Sequence, residues 1–138
     1  MPARDIYHDT VRNALIKDGW VITHDPLALA WGTARMYVDL GAEKLIAAQK
    51  SDRKIALEVE SFVGPSRVED LEKALGQYTL YFDVLAEAEP DRMLYPAVSD
   101  VAFEEVFEES VGRSTIARGR VQVMVFDPRA EAIVKWIP

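Results

Sequence analysis

The segment that most constrains the fold is a helix start near the middle of the chain, joined to a long apolar stripe. Ser66 stands three residues before Glu69, the capping-box spacing in which Ser66 can cap the amide of Glu69 and Glu69 can reach back. The apolar residues of this segment are spaced alternately three and four apart, as on one helical face: Val68, Leu71, Leu75, Tyr78, Phe82 and Leu85. The pattern predicts a long amphipathic helix that has ended before Pro90.

The segments on either side of this helix predict strands and two shorter helices. Alternating or β-branched runs predict strands at residues 20–24, 34–40, 93–98, 121–126 and 132–137, and residues 45–60 predict a hairpin with a polar tip at 50–54. Helices are predicted at residues 5–18 and after a cap at Ser99 or Asp100. Because Pro96 has no backbone N–H, its strand is predicted to lie at a sheet edge or to carry a bulge.

The order α-β-β-β-α-β-α-β-β predicts one α/β domain over residues 1–138, with a mixed central sheet flanked by helices. The chain contains no cysteine, which excludes disulfides, thiolate zinc sites and cysteine nucleophiles. No apolar run approaches the roughly 18–20 residues of a membrane span. The N-terminus is charged from the fourth residue and has no signal-peptide pattern. A cytoplasmic protein without membrane contact is therefore expected.

The stretch IALEVES, residues 55–61, contains two carboxylates inside a run that otherwise predicts a buried strand. Side chains alternate across a strand, so Glu58 and Glu60 share one face while Ile55, Leu57 and Val59 share the other. Two like charges about 6–7 Å apart on a half-buried strand repel each other and lose hydration. Three alternatives remain open: a metal site, a solvated sheet edge, or the remains of a catalytic site.

Other polar residues could form one site with these carboxylates. Asp39 ends one predicted strand, Glu58 lies near the end of a later one, and Gln77-x-x-x-Tyr81 sits on one flank of the long helix. Mg²⁺ binds hard oxygen ligands, usually one or two carboxylates, with water and substrate phosphate filling the other positions. If the sheet brings Asp39 and Glu58 together, they form such a site.

This arrangement resembles the PD-(D/E)xK nuclease superfamily, whose core is α-β-β-β-α-β with a D…(D/E)-x-K motif. Over the whole chain the sequence resembles the XisH family, the fdxN element excision controlling factors. Strings from one end of the chain to the other carry this resemblance: DIYHD at 5–9, NALIKDGW at 13–20, THDP at 23–26, AEK at 42–44, ALGQY at 74–78, SDV at 99–101 and WI at 136–137.

The resemblance implies a restriction-endonuclease-like fold and a cytoplasmic cyanobacterial accessory protein. Such a protein is required, with a recombinase and an XisI-type partner protein, to excise a DNA element. The implied partners are thus XisI and a recombinase–DNA assembly, although the net charge of −7 argues against direct DNA contact through phosphate neutralisation. A homo-oligomer stays open. The alternative function is a Mg²⁺-dependent DNA endonuclease of the PD-(D/E)xK class.

Residue by residue, Asp39 matches the first acidic position of the superfamily motif and Glu58 the second. Gln77 and Tyr81 match a Gln-x-x-x-Tyr pattern that some of these nucleases carry on the next helix. Glu60 stands where the pattern has a lysine. That lysine is expected to orient the attacking water and to offset charge on the scissile phosphate, which a glutamate cannot do. The expectation therefore leans towards a protein that is not an enzyme.

Two ways to compensate for the missing lysine remain open. Lys44 could reach the site from a neighbouring strand as a substitute cation. Alternatively, Glu60 could join Asp39 and Glu58 as a third metal ligand, with Glu43 as a reserve ligand if the strand register differs. Mg²⁺ or Mn²⁺ is the expected cofactor if a metal site survives, and none is expected otherwise.

Overall fold

The computed structural model describes the backbone of residues 5–46, 51–108 and 110–137. Four helices and eight strands lie in these ranges. In chain order they are α1 (His8–Lys17), β1 (Val21–His24), β2 (Leu27–Trp31), β3 (Ala34–Val38), β4 (Leu40–Ile46), β5 (Ser51–Val59), α2 (Arg67–Ala88), β6 (Arg92–Ser99), α3 (Asp100–Phe107), α4 (Ser110–Ala117), β7 (Val123–Asp127) and β8 (Ala132–Ile137). None of the described helices is long and apolar enough to cross a membrane.

Six strands form one mixed sheet in the order β1-β4-β5-β6-β7-β8, and β2 and β3 form a separate hairpin. Strands β5, β6 and β7 run parallel, while β1, β4 and β8 pair antiparallel with their neighbours. The connections between the parallel strands contain α2 in one case and α3 with α4 in the other, as parallel pairing requires a crossover. The predicted mixed α/β fold is confirmed.

Each face of the sheet carries its own hydrophobic core, because side chains alternate along the strands. Ile55, Leu57 and Val59 of β5 join the core on the side of α1. Ala56, between them, joins the core on the side of α2 and α3. Glu58 is the next residue of β5 on the α2 side, where the sheet ends and its side chain is partly exposed.

The long helix begins as predicted, since Ser66 is its N-cap and its side chain accepts a hydrogen bond of 3.2 Å from the amide of Glu69. The predicted apolar stripe is partly wrong, because Val68 and Phe82 are 65% and 50% exposed. The buried face is centred slightly to one side of that stripe, and its buried members are Leu71, Ala74, Tyr78, Val84 and Leu85. A spacing of three and four fixes the face only to within about one residue.

The predicted strands on the N-terminal side need three corrections. The strand predicted at residues 34–40 is divided, because β3 ends at Val38 and β4 begins at Leu40 in the other sheet. Strand β2 was not predicted, because the turn signal Asp25–Pro26 is followed immediately by a new strand that pairs with β3. The predicted hairpin tip at 50–54 is wrong for residues 51–54, which belong to β5. The rest of that tip, Lys50, lies outside the described residues. The polar residues 51–54 can belong to a strand because the side chain of Arg53 packs against aromatic rings instead of facing solvent.

The prediction of an edge or a bulge at Pro96 is also wrong. Strand β6 lies between β5 and β7, and its register with β5 runs without a shift from Lys54–Arg92 to Val59–Ala97. The pairing of β6 with β7 begins at Ala97, so the missing N–H of Pro96 falls where that ladder starts.

The C-terminal half otherwise follows the prediction, with one helix added. Ser99 caps α3 and accepts a hydrogen bond of 3.1 Å from the amide of Ala102. The turn at Asp127 and strand β8 are confirmed. Helix α4 was not predicted, and at Gly112 it lies close against the backbone at the C-terminal end of α3.

Candidate functional site

Five of the residues predicted from the sequence line one cavity of about 380 Å³ between the end of β5 and the side of α2. They are Asp39, Glu58, Glu60, Gln77 and Tyr81. A larger and more open cavity of about 1130 Å³ adjoins it across the loop 61–64. We place the candidate site in the smaller cavity because the buried carboxyl groups converge there.

The register of two antiparallel strands explains why Asp39 and Glu58 meet. Leu40 of β4 pairs with Leu57 of β5, so the next positions outward, Asp39 and Glu58, lie side by side. The amide of Asp39 donates to Oε1 of Glu58 at 3.0 Å, and the amide of Val59 donates to Oδ2 of Asp39 at 2.8 Å. These reciprocal bonds hold both carboxyl groups at the mouth of the two strands.

Burial makes these carboxyl groups hold protons more strongly than usual. Burial, followed by the charge of Asp39, raises the pKa of Glu58 to about 9. Burial also raises the pKa of Asp39, although the amide of Val59 and the contact with Glu58 oppose the change. The contact between the two carboxyls thus favours a proton on Glu58 and a charge on Asp39. With a pKa of about 9, Glu58 keeps its proton at neutral pH, so the pair does not carry two charges.

Glu60 adds a third carboxyl to the same cavity. Burial, followed by the charges of Asp39 and Asp5, raises its pKa to about 7, and the charge of Lys73 acts in the opposite direction. A cation that enters the cavity would replace the protons held there, because the carboxyls would then be paired rather than merely desolvated.

The helix side of the cavity carries hydrogen-bonding groups. Gln77 and Tyr81 are four residues apart on α2, which places them one above the other on the same face. Burial, and then the nearby charges of Glu58, Asp39 and Glu60, raise the pKa of Tyr81. Its hydroxyl therefore keeps its proton and can donate a hydrogen bond.

Five further polar residues line the cavity and were not predicted: Asp5, Tyr37, Ser61, Asp70 and Lys73. Asp70 accepts a hydrogen bond of 3.0 Å from the amide of Gly64 and so supports the loop that forms one wall. Lys73 lies four residues before Gln77 on the same helix face. That spacing was visible in the sequence, whereas the approach of Asp5 and Tyr37 depends on tertiary packing.

The structure does not bring Lys44 or Glu43 to the cavity. Lys44 lies on the opposite face of the sheet, where its Nζ donates to the carbonyl of Asp18 at 2.8 Å and stands 5.6 Å from the Trp20 ring. Glu43 lies on the correct face but four residues further along β4, where Oε1 is 3.8 Å from the guanidinium of Arg92. Neither residue lines the cavity.

A divalent metal would need oxygen ligands that converge in this cavity. No group of three or more His, Asp or Glu side chains in the described part of the chain is arranged to hold a metal ion. The structure therefore does not form the three-carboxylate set of Asp39, Glu58 and Glu60. A pair of adjacent carboxyls with raised pKa fits the smaller protein contribution that Mg²⁺ usually takes, with water and phosphate oxygens supplying the other ligands.

One family model and two crystal structures match this chain over nearly its whole length. A family model described as XisH protein matches residues 1–134. The crystal structure of an XisH family protein from Nostoc punctiforme PCC 73102 is 34% identical, has a TM-score of 0.86, and is covered over 100% of its chain by 97% of this one. That of a fdxN element excision controlling factor protein from Anabaena variabilis is 37% identical, with a TM-score of 0.86 over 98% of this chain and 100% of that chain. No curated protein matches significantly.

Proposed function

Because the chain belongs to the XisH family, we propose that it is a controlling factor for excision of a DNA element by site-specific recombination. It is an accessory protein on a nuclease-like scaffold, it works in the cytoplasm, and its partners are an XisI-type protein and a recombinase–DNA assembly. The name printed for the Anabaena variabilis neighbour, a fdxN element excision controlling factor, supports this assignment and suggests the kind of element.

The observation that carries the non-enzymatic part of this proposal is the place of Glu60. Its side chain enters the cavity beside Asp39 and Glu58, at the position where the superfamily motif has a lysine. With a pKa of about 7 it is either a neutral acid or an anion, and neither form offsets the charge of a scissile phosphate. The net charge of −7 also favours binding through a protein partner over direct capture of DNA.

The decisive experiment is cleavage of supercoiled and branched DNA with Mn²⁺ by the wild type, Asp39→Ala and Glu60→Lys. The proposal predicts that the wild type is inert and that Glu60→Lys gains activity, since a lysine then stands at the motif position beside Asp39 and Glu58. Cutting by the wild type that is lost in Asp39→Ala would contradict it. Co-purification with an XisI-type protein tests the partner, and Asp39→Ala is expected to leave that complex intact.

A second candidate is a Mg²⁺- or Mn²⁺-dependent DNA endonuclease of the PD-(D/E)xK class. It is favoured by the convergence of Asp39 and Glu58 with Gln77 and Tyr81 in one cavity. In this case Asp39 and Glu58 hold the metal, which would polarise a phosphoryl oxygen and activate water. The chain's own residues would bind the phosphate and keep the carboxyl pair in place through the backbone amides of Asp39 and Val59.

Thermal denaturation with and without millimolar Mn²⁺ tests whether a metal site survives. A ligand at a hundredfold excess over its Kd stabilises the folded state by about 2.7 kcal/mol, which is readily measured. The metal-dependent candidate predicts a rise in melting temperature that Asp39→Ala removes. The absence of any rise in the wild type would exclude this candidate and leave the accessory function standing.

A further inference from the structure

One face of α2 carries three polar residues that all line the cavity. Lys73, Gln77 and Tyr81 follow one another at intervals of four residues and so form a single polar row. Asp39 and Glu58 stand on the sheet side of the same cavity. The cavity therefore has a carboxyl wall on the sheet side and a helix wall, which carries the donors of this row together with the carboxyl group of Asp70, with space of about 380 Å³ between them.

Lys73 is the positively charged member of this cavity among the described residues that line it. In the described part of the chain its amino group has no carboxylate within 4.0 Å, and the side chain is exposed. It is nonetheless near enough to Glu60 for its charge to act on that carboxyl. A lysine that is close to carboxylates, yet not engaged by them, is available to an incoming anion.

We propose that Lys73 contacts a phosphate group of DNA in this cavity and supplies the positive charge that position 60 lacks, with Gln77 and Tyr81 as neighbouring donors. A divalent ion on the carboxyl wall and a phosphate on the helix wall would neutralise each other, as in most Mg²⁺ sites that take a phosphorylated substrate. The inference rests on the metal-dependent candidate for the carboxyl pair, but it needs binding alone and no cleavage.

The test is binding of short fluorescein-labelled duplex and branched DNA, followed by fluorescence anisotropy in millimolar Ca²⁺. The variants are Lys73→Met and, as a matched loss of one positive charge, Arg35→Met on the exposed side of β3. A charge-assisted hydrogen bond to phosphate predicts that Lys73→Met weakens binding about tenfold or more, while Arg35→Met changes it less than about twofold. Equal affinity of the wild type and Lys73→Met would overturn the proposal, as would a wild type that binds neither DNA.

A double-mutant cycle with Glu60→Lys tests whether Lys73 takes the place of a lysine at position 60. If Lys73 takes the place of the missing lysine, its loss is severe in the wild type and mild once residue 60 is lysine. An effect of Lys73→Met that is equally large in both backgrounds would show that the two positions do not serve the same phosphate.

A measurement of metal binding distinguishes the failure of this inference from the failure of the metal-dependent function on which it rests. Loss of the positive charge of Lys73, which acts on Glu60 in the same cavity, is expected to leave the Mn²⁺-induced rise in melting temperature intact or to enlarge it, while DNA binding falls. A wild type that shows the Mn²⁺ response but no effect of Lys73→Met on DNA would remove the role of Lys73 and keep the metal site. A wild type without the Mn²⁺ response would remove both.

Discussion

At the scale of single residues, the carboxyl pair of Asp39 and Glu58 has its geometry fixed by two backbone amides and its protonation set by burial. The amide of Asp39 donates to Glu58 and the amide of Val59 donates to Asp39, so neither side chain can leave without breaking a hydrogen bond. Burial keeps a proton on the pair. The folded protein thus holds two carboxyls side by side, and deprotonating both would destabilise it unless a cation enters.

We therefore predict that stability without divalent metal falls as the pH rises. The pKa of Glu58 goes from 4.5 to about 9 on folding, and that of Glu60 from 4.5 to about 7. Between these values the folded state binds more protons than the unfolded state, so the stabilisation is full below pH 4.5 and is lost as the pH rises towards 9. Each such proton contributes a slope of at most about 1.4 kcal/mol per pH unit.

The measurement is the melting temperature from pH 5 to pH 9 for the wild type and Glu58→Gln, in the presence of a chelator. Glutamine keeps the acceptor for the amide of Asp39 but cannot ionise, so its melting temperature should depend less on pH. Glu104→Gln, at an exposed position of α3, is the matched control and should follow the wild type. A wild-type melting temperature that increases over this range would refute the assignment of the proton.

At the scale of helices and strands, capping residues predicted the structure better than the spacing of apolar residues did. The caps of α2 and α3 were predicted because Ser66 and Ser99 act on amides three residues away. Strand β2 and the central position of β6 were not, because both depend on which distant strand pairs with them. The same holds for the site: Asp39 and Glu58 were predicted from the sequence, whereas the approach of Asp5 and Tyr37 to them depends on tertiary packing.

Two glycines in helices give an opposed pair of predictions. A Cβ at Gly112 of α4 would lie 1.8 Å from the carbonyl oxygen of Val106, so α3 and α4 must separate to admit alanine. We expect Gly112→Ala to destabilise the fold by about 1–3 kcal/mol or more. At Gly76 of α2 nothing lies within 4 Å, so Gly76→Ala should stabilise the fold by about 0.5–1 kcal/mol through helix propensity.

Urea denaturation of both variants checks these values. The free energy of unfolding should fall for Gly112→Ala and rise for Gly76→Ala. A neutral Gly112→Ala would contradict the close approach of α4 to the end of α3. Gly76 precedes Gln77, so its alanine variant also serves as a stabilised background in which the row on α2 keeps its spacing.

At the scale of the whole molecule, the two faces of the sheet end in different groups of side chains. The α2 face ends in the cavity, where carboxyls are held at the edge of the core. The α1 face has no such cluster among its described residues and instead closes with aromatic rings around Arg53. The alternation of side chains along β5 was predicted, but this division of the whole sheet was not, because the assignment of each residue to a face follows from strand register.

Arg53 ties four parts of the fold together and provides the last prediction. Its guanidinium stands 5.6 Å from the ring of Trp20 and 5.4 Å from that of Trp136, and it donates to the hydroxyl of Tyr95 at 3.2 Å. These rings come from the segment after α1, from β8 and from β6. A planar guanidinium can stack on two indoles, which an ammonium cannot do equally well.

We expect Arg53→Lys to lower the free energy of unfolding by about 1–2 kcal/mol even though the charge is kept. Lys54→Arg, one residue along and on the other face of β5, is the matched control and should change it by less than about 0.5 kcal/mol. Urea denaturation followed by tryptophan fluorescence measures both, and it also reports on Trp20 and Trp136 directly. Equal stability of Arg53→Lys and the wild type would mean that the charge of Arg53, rather than its planar stacking between the indoles, joins the two edges of the sheet to its centre.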